Sequence, residues 1–235
     1  MRTAAILTIG NELTSGDVAD TNGVWLARRL ERFDGMTVTM LASVPDEIDA
    51  IARFVRGYGP DADVMIVTGG LGGTPDDLTR EALAAAFAVG QETVPELAEA
   101  LRARFTRDPD YAARWAELPV GSRVLENPLG GAPGFAIENV YVLPGLPVEM
   151  KAMFESIESE LAAGPPIDSW RCTYATRESE IVGVLREAVE RFPGLRVGSY
   201  PTFGDDGPHV EVVLKSADAA ELARAATFVA DALDT

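Results

Sequence analysis

The sequence predicts an α/β protein: a mainly parallel sheet joined by crossover helices, followed by a small α+β unit. Three observations carry this. Over the first two-thirds of the chain, β-prone apolar runs alternate with helix-length amphipathic stretches, as successive βαβ crossovers require. One run, 62–67, breaks into a glycine-rich stretch, Gly69-Gly70-Leu71-Gly72-Gly73, before a helix-forming segment. Further on, Ala163-Gly164-Pro165-Pro166 has the composition of a linker.

Residues 3–9 read as a buried strand and 20–32 as the first helix, with Val24, Trp25, Leu26 and Leu30 along it. A second strand, 36–43, is ended by Val44-Pro45. Residues 46–58 place Ile48, Ile51, Ala52 and Val55 at helical spacing. The third strand, 62–67, leads through the glycine stretch into a helix at 76–88. Residues 94–118 read as one or two further helices, broken near Pro109, which lacks an N–H and disfavours helix before it. Short strands follow at 122–125, 135–137 and 140–143. The turn Pro144-Gly145-Leu146-Pro147 then leads into a helix at 148–161. The linker divides a domain at 1–163 from one at 167–235, read as βαββα with elements at 169–175, 178–191, 195–199, 209–215 and 217–233.

Composition narrows the function. The formal net charge of the 235 residues is −17, and Lys151 and Lys215 are the lysines; every other basic side chain except His209 is arginine. Such a field repels nucleic acid, so no nucleic-acid partner is expected. The acidic, lysine-poor surface also suggests a protein kept soluble in high salt. No apolar run approaches the roughly 18 residues of a membrane helix. The N-terminal residues enter a strand without signal-peptide anatomy, and Cys172 is the one cysteine, so a cytoplasmic protein without membrane attachment is expected.

In open parallel sheets, ligands sit beyond the carboxyl ends of the strands. The unusual glycine and polar positions nearly all follow strands: Gly10-Asn11-Glu12, Asp46-Glu47, the glycine stretch with Asp77, and Pro144-Gly145-Leu146-Pro147. Four loops thereby point to one shared pocket. Glycines let a phosphate approach backbone N–H groups. Asp76, Asp77 and Glu81 surround a helix start, with Asp77 and Glu81 at i/i+4, and such hard oxygen ligands suit Mg²⁺ held with substrate phosphates. The alternative reading makes Asp76 a helix cap and leaves Asp77 and Glu81 to favour the helix dipole. Neither a Walker motif nor the G-x-G-x-x-G spacing is present. His209 enters a strand after Gly207-Pro208 and reads as structural. So do Cys172, the three tryptophans and the Gly204-Asp205-Asp206-Gly207 turn.

These motifs resemble a known family. Gly10-Asn11-Glu12-Leu13, Asp20-Thr21-Asn22, the loop with Asp76-Asp77-Leu78-Thr79-Arg80-Glu81, Asn127-Pro128 with Gly130-Gly131-Ala132-Pro133-Gly134, and Pro144-Gly145-Leu146-Pro147 are similar in order and spacing to the molybdopterin-binding domain shared by MogA, MoaB and MoeA, in its CinA version. The resemblance covers roughly residues 3–160, and the tail resembles the small domain that follows in CinA-type proteins. It implies a three-layer αβα MogA-like fold and no nicotinamide-nucleotide deamidase domain within these residues. Gly73 stands where the CinA pattern commonly has proline, which leaves added room for a phosphate.

The resemblance implies Asp46 and Asp77 as the catalytic carboxylates. The ligand would be bound by Gly10, Glu12, Asn22, Thr68, Gly69, Gly70, Gly72, Gly73, Thr79, Pro144 and Gly145, with Asp77 and Glu81 on a divalent metal, Mg²⁺. CinA-type relatives imply metal-dependent hydrolysis of a nucleotide diphosphate such as ADP-ribose or FAD. MogA-type relatives imply molybdopterin as the ligand and its adenylylation; a non-catalytic nucleotide-binding module is the third expectation. The partner is a small nucleotide or pterin phosphate. A homo-oligomer is expected because the superfamily tends to oligomerise.

Overall fold

The computed structural model describes residues 2–234, which divide into two compact units. The first comprises the chain up to Glu31 and Gly35–Ala163; the second comprises Arg32–Asp34 and the chain from Gly164 onward. The chain passes from the first unit to the second between Ala163 and Gly164, and Arg32–Asp34 crosses over. The reason is backbone pairing: the Asp34 N–H donates to Pro165 O at 2.8 Å and the Ile167 N–H to Arg32 O at 2.6 Å.

In the first unit the chain runs β1 (Arg2–Ile9), α1 (Asn11–Ser15), α2 (Thr21–Leu30), β2 (Met36–Val44), α3 (Ile48–Tyr58), β3 (Val64–Thr68), α4 (Thr79–Phe87) and β4 (Gln91–Thr93). It continues through α5 (Pro95–Arg104), α6 (Pro109–Ala113), a 3₁₀ turn at Arg114–Ala116, β5 (Glu117–Pro119), β6 (Arg123–Leu125), β7 (Gly134–Ile137), β8 (Val140–Leu143) and α7 (Pro147–Leu161). The main sheet has the order β2-β1-β3-β8-β7-β6. Its first four strands are parallel; β7 pairs antiparallel with β8, and β6 antiparallel with β7. The whole is a three-layer α/β fold.

Successive side chains on a strand point to opposite faces. On β1 this puts Ala5, Leu7 and Ile9 against Ile51, Phe54 and Val55 of α3 and Leu83 of α4. On the opposite layer α2 meets α7, where Trp25 and Phe154 pack edge to face with centroids 5.5 Å apart. A strand covered on both faces needs apolar residues throughout, and every residue of β3 is buried. Leu7→Ala removes fully buried volume from this core, so we expect a loss of about 2–5 kcal/mol in denaturant-measured stability.

Three elements differ from the sequence reading. Residues 11–15, read as loop, form the short α1. The fourth helix begins at Thr79, three residues later than expected, for a reason that belongs to the site. Residues 91–93 and 117–119 pair as the antiparallel β4–β5 ladder at the two ends of the α5–α6 segment.

The second unit contains β9 (Asp168–Tyr174), α8 (Glu178–Arg191), β10 (Arg196–Gly204), β11 (Gly207–Ser216) and α9 (Ala219–Leu233). Its antiparallel sheet has the order β10-β11-β9, and Ile181, Leu185, Leu222 and Val229 of the helices pack on Val210, Val212 and Leu214. The hairpin pairs as far as Gly204 and Gly207, beyond the expected 195–199 and 209–215. Pro201 is tolerated because β10 is an edge strand. His209 lies 3.3 Å from Asp206 across the turn, a local contact. Among the described residues, no helix is long and apolar enough to cross a membrane.

Candidate ligand-binding and catalytic site

Strand β1 has β2 on one side and β3 on the other, so the direction of winding switches between β1 and β3. The crevice at such a switch, beyond the carboxyl ends of the strands, is where open α/β sheets take ligands. Because β8 is parallel to β3, the 144–147 turn emerges at this same end.

The glycine stretch is shaped mainly by its own neighbours. Gly69 has φ +112°, and a Cβ there would lie 2.3 Å from Ile9 O; Gly70 has φ +64°, and a Cβ would lie 2.3 Å from Thr79 Oγ1. Thr79 is wholly buried and its hydroxyl donates to Gly69 O at 2.8 Å. It therefore braces the loop and does not reach a ligand, contrary to expectation. Thr68, also buried, donates to Pro144 O at 2.7 Å and ties the third strand to the 144–147 turn. Gly10, Gly69 and Pro144 are buried as well.

Asp77 explains the late start of α4. Its Oδ1 accepts from the Gly72 N–H at 2.9 Å, and its Oδ2 from the Thr74 N–H at 2.8 Å and the Thr74 hydroxyl. The carboxylate caps the loop, so the helix begins after it, with Leu78 at the N-cap and no side-chain cap. Asp76 is therefore not the helix cap. Asp77 precedes the helix, so the i/i+4 face with Glu81 does not form. One of the N–H groups expected to meet a phosphate, that of Gly72, is already given to this carboxylate, together with that of Thr74. Asp77→Asn keeps one acceptor and sets an amide N–H₂ against the other donors, so a loss of about 1–3 kcal/mol in chemical denaturation is expected.

Asp46 and Asn11 bond reciprocally: the Asn11 N–H donates to Asp46 Oδ2 at 2.8 Å, and the Asp46 N–H to Asn11 Oδ1 at 3.3 Å. Burial pushes the Asp46 carboxyl above its ordinary value, the Asn11 N–H opposes this, and the charges of Glu12, Asp76 and Asp77 push it further up. Carboxylates from the loops after β1, β2 and β3 thus share one electrostatic neighbourhood. A carboxyl whose proton affinity is raised towards neutrality suits proton exchange with a reacting group.

The single pocket expected from the loops is two cavities. The first, about 190 Å³, is lined by Glu12, Asp20, Asn22, Thr68 and Gly145 among others. Asn22 Nδ2 donates to Gly145 O at 2.8 Å, leaving its buried Oδ1 without a partner. The second, about 360 Å³, lies beside the 72–77 segment and is lined also by Arg80, Glu81, Arg114, Trp115 and Glu117. Of these, Glu81 and Trp115 each carry a buried polar atom, Oε2 and Nε1, without a partner. An unpaired acceptor and an unpaired donor are costly unless a ligand or water completes them.

The donor set does not fit a protein-held divalent ion at Asp77 and Glu81. Both Asp77 oxygens are engaged by the loop, and no group of three or more metal-ligating side chains converges among the described residues. Sequence reasoning missed Arg80, which is 6 % exposed and donates to Leu71 O at 2.9 Å and Gly72 O at 2.7 Å, fixing the loop's carbonyls. It also missed the Thr8 hydroxyl, bonded to Asp20 at 3.0 Å beneath the first cavity.

Over residues 5–163 the sequence matches the profile of a family described as a probable molybdopterin binding domain. The chain belongs to this molybdopterin-binding domain family. A protein of Archaeoglobus fulgidus is 36% identical over 199 residues, 85% of this chain and 86% of that one. A CinA-like protein of Frankia casuarinae is 44% identical over 64% of this chain, but the match spans 38% of that longer protein. The crystal structure of CinA from Thermoplasma acidophilum, described as of unknown function, superposes with a TM-score of 0.64 at 28% identity, covering 68% of this chain and 98% of that one. The family's CinA-like branch is thus where this chain sits. Residues 171–235 match a second profile, described as the FAD synthase middle domain.

Proposed function

We propose that this protein binds a phosphorylated pterin of the molybdopterin class and transfers an adenylyl group to its phosphate. The observation that supports the reading is the pair of cavities at this end of the sheet, each lined by a residue that carries a buried polar atom without a partner. A pterin edge presents N–H donors beside a carbonyl, the complement of Glu81 Oε2 and Trp115 Nε1. The adenine amino group is a donor for Asn22 Oδ1. An adenylylated pterin would fill both cavities, with its phosphates across the loop.

In the transfer, a phosphate oxygen of the pterin attacks the α-phosphorus of ATP; that P–O bond forms, the α–β anhydride breaks and pyrophosphate leaves. With a second pKa of about 6, the attacking phosphate is partly protonated near neutrality. Asp46 takes that proton. Asp77 and Arg80 act by holding the loop in shape.

The test is anaerobic incubation with molybdopterin, gel filtration, and detection of pterin fluorescence in the protein fraction, followed by mass spectrometry after addition of ATP and Mg²⁺. Retained, adenylylated pterin supports the reading; a protein fraction without pterin overturns it.

A second reading, hydrolysis of a nucleotide diphosphate such as FAD or ADP-ribose, is favoured by the similarity of residues 171–235 to the FAD synthase middle domain. Asp46 would then take a proton from the attacking water. Release of AMP from FAD without any pterin chemistry would select it.

A further inference from the structure

A ligand phosphate adds negative charge to a chain of net charge −17, in a cavity already lined by Asp77, Glu81 and Glu117. The usual sources of compensation are committed. The N–H groups of Gly72 and Thr74 are given to Asp77. Arg80 is buried with its guanidinium on Leu71 O and Gly72 O, and Glu81, Asp77 and Glu117 already supply its counter-charge. Arg114 is the remaining basic side chain lining this cavity, and no ion pair engages it among the described residues.

The structure shows how Arg114 comes to be there. The tip of Tyr111 rests on the glycine loop: a Cβ on Gly73 would lie 2.3 Å from Tyr111 Cζ. Tyr111 packs edge-on to Trp115, with centroids 5.8 Å apart, and the Arg114 guanidinium lies 5.4 Å from the Tyr111 ring centroid. A guanidinium stacked on an aromatic face keeps its N–H donors pointing outwards in a plane. Gly73 thus does more than widen the loop. It admits the tyrosine that carries the arginine to the loop.

We infer that Arg114 is the phosphate-binding residue of this cavity, presented by Tyr111 through the space left at Gly73. The inference rests on the reading that the site takes a phosphorylated ligand, and it names the side chain that selects the phosphorylated form. Arg114 is exposed, so replacing it leaves the fold in place.

The test compares neopterin monophosphate, neopterin and inorganic pyrophosphate by calorimetry on the full chain and on the Arg114→Ala, Arg114→Lys and Tyr111→Ala variants. Arg114→Ala is expected to weaken neopterin monophosphate and pyrophosphate by about tenfold or more, the scale of one charge-assisted hydrogen bond, and to leave neopterin unchanged. Arg114→Lys should recover part of the loss, and Tyr111→Ala should show a smaller loss of the same kind. Added salt should weaken the wild type more than Arg114→Ala. Equal affinity of wild type and Arg114→Ala for the monophosphate overturns the assignment and leaves the reading of the site standing. So does an equal loss for neopterin, which would make Arg114 a wall of the cavity. A wild type that binds neither phosphorylated probe overturns the reading and the assignment together.

Discussion

Asp46→Asn is expected to lower turnover by about 100- to 10 000-fold while raising the thermal midpoint. The two effects share one cause. Burial and the charges of Glu12, Asp76 and Asp77 raise the proton affinity of this carboxyl in the folded state. The folded protein therefore binds a proton that the unfolded chain has already released, and stability falls as pH rises from the ordinary carboxylate pKa through the raised value. Above that window the penalty is constant. Asparagine does not titrate, and its Oδ1 still accepts from the Asn11 N–H, so the variant keeps the loop contact and loses the repulsion. The gap in midpoint between variant and wild type should accordingly open from acid towards neutral pH and then level off. Activity measured as adenylylated pterin, or as AMP released from FAD, should fall throughout. A variant as active as the wild type would remove Asp46 from the chemistry.

Much of this was legible in the sequence because it rests on periodicity and on strand ends. The run of β1, the amphipathic spacing of α3 and the linker at 163–166 identified themselves, and Asp46 stood out as an acid directly after a strand. Other features were illegible for physical reasons. An aspartate before a helix reads as a cap on that helix, and the same residue capping a glycine loop reads identically; only the geometry shows Asp77 facing backwards onto Gly72 and Thr74. Strands β4 and β5 are three residues each, and β4 is exposed throughout, so neither carries an alternation signal. Arg80 lies in the first turn of a helix whose buried face is otherwise mostly alanine and leucine, and a single sequence holds nothing to say that this arginine points inwards. Nor does a glycine carry any mark of what it faces, which is held backbone at Gly69 and the tip of a side chain at Gly73.

That distinction among glycines yields the sharpest contrast in stability. Gly69→Ala forces a side chain into φ +112° and sets its Cβ 2.3 Å from the backbone oxygen of Ile9, which β1 holds in place. Backbone strain and overpacking together cost about 2–6 kcal/mol, a large share of what a domain of this size possesses. Gly73→Ala meets only the tip of the Tyr111 side chain, which can swing away, and Gly73 is not among the positive-φ glycines. Its stability cost should stay near about 1 kcal/mol, the scale of lost local packing. The ligand consequence runs the other way. If Tyr111 leaves the loop it takes Arg114 with it, so Gly73→Ala should fold like the wild type yet discriminate poorly between neopterin monophosphate and neopterin. Gly69→Ala should be scarcely recoverable as folded protein. Denaturant midpoints of the two variants, read beside their affinities for the two probes, separate a glycine that the fold requires from one that the ligand requires; equal midpoints would show that the loop yields at Gly69 and is not braced by β1.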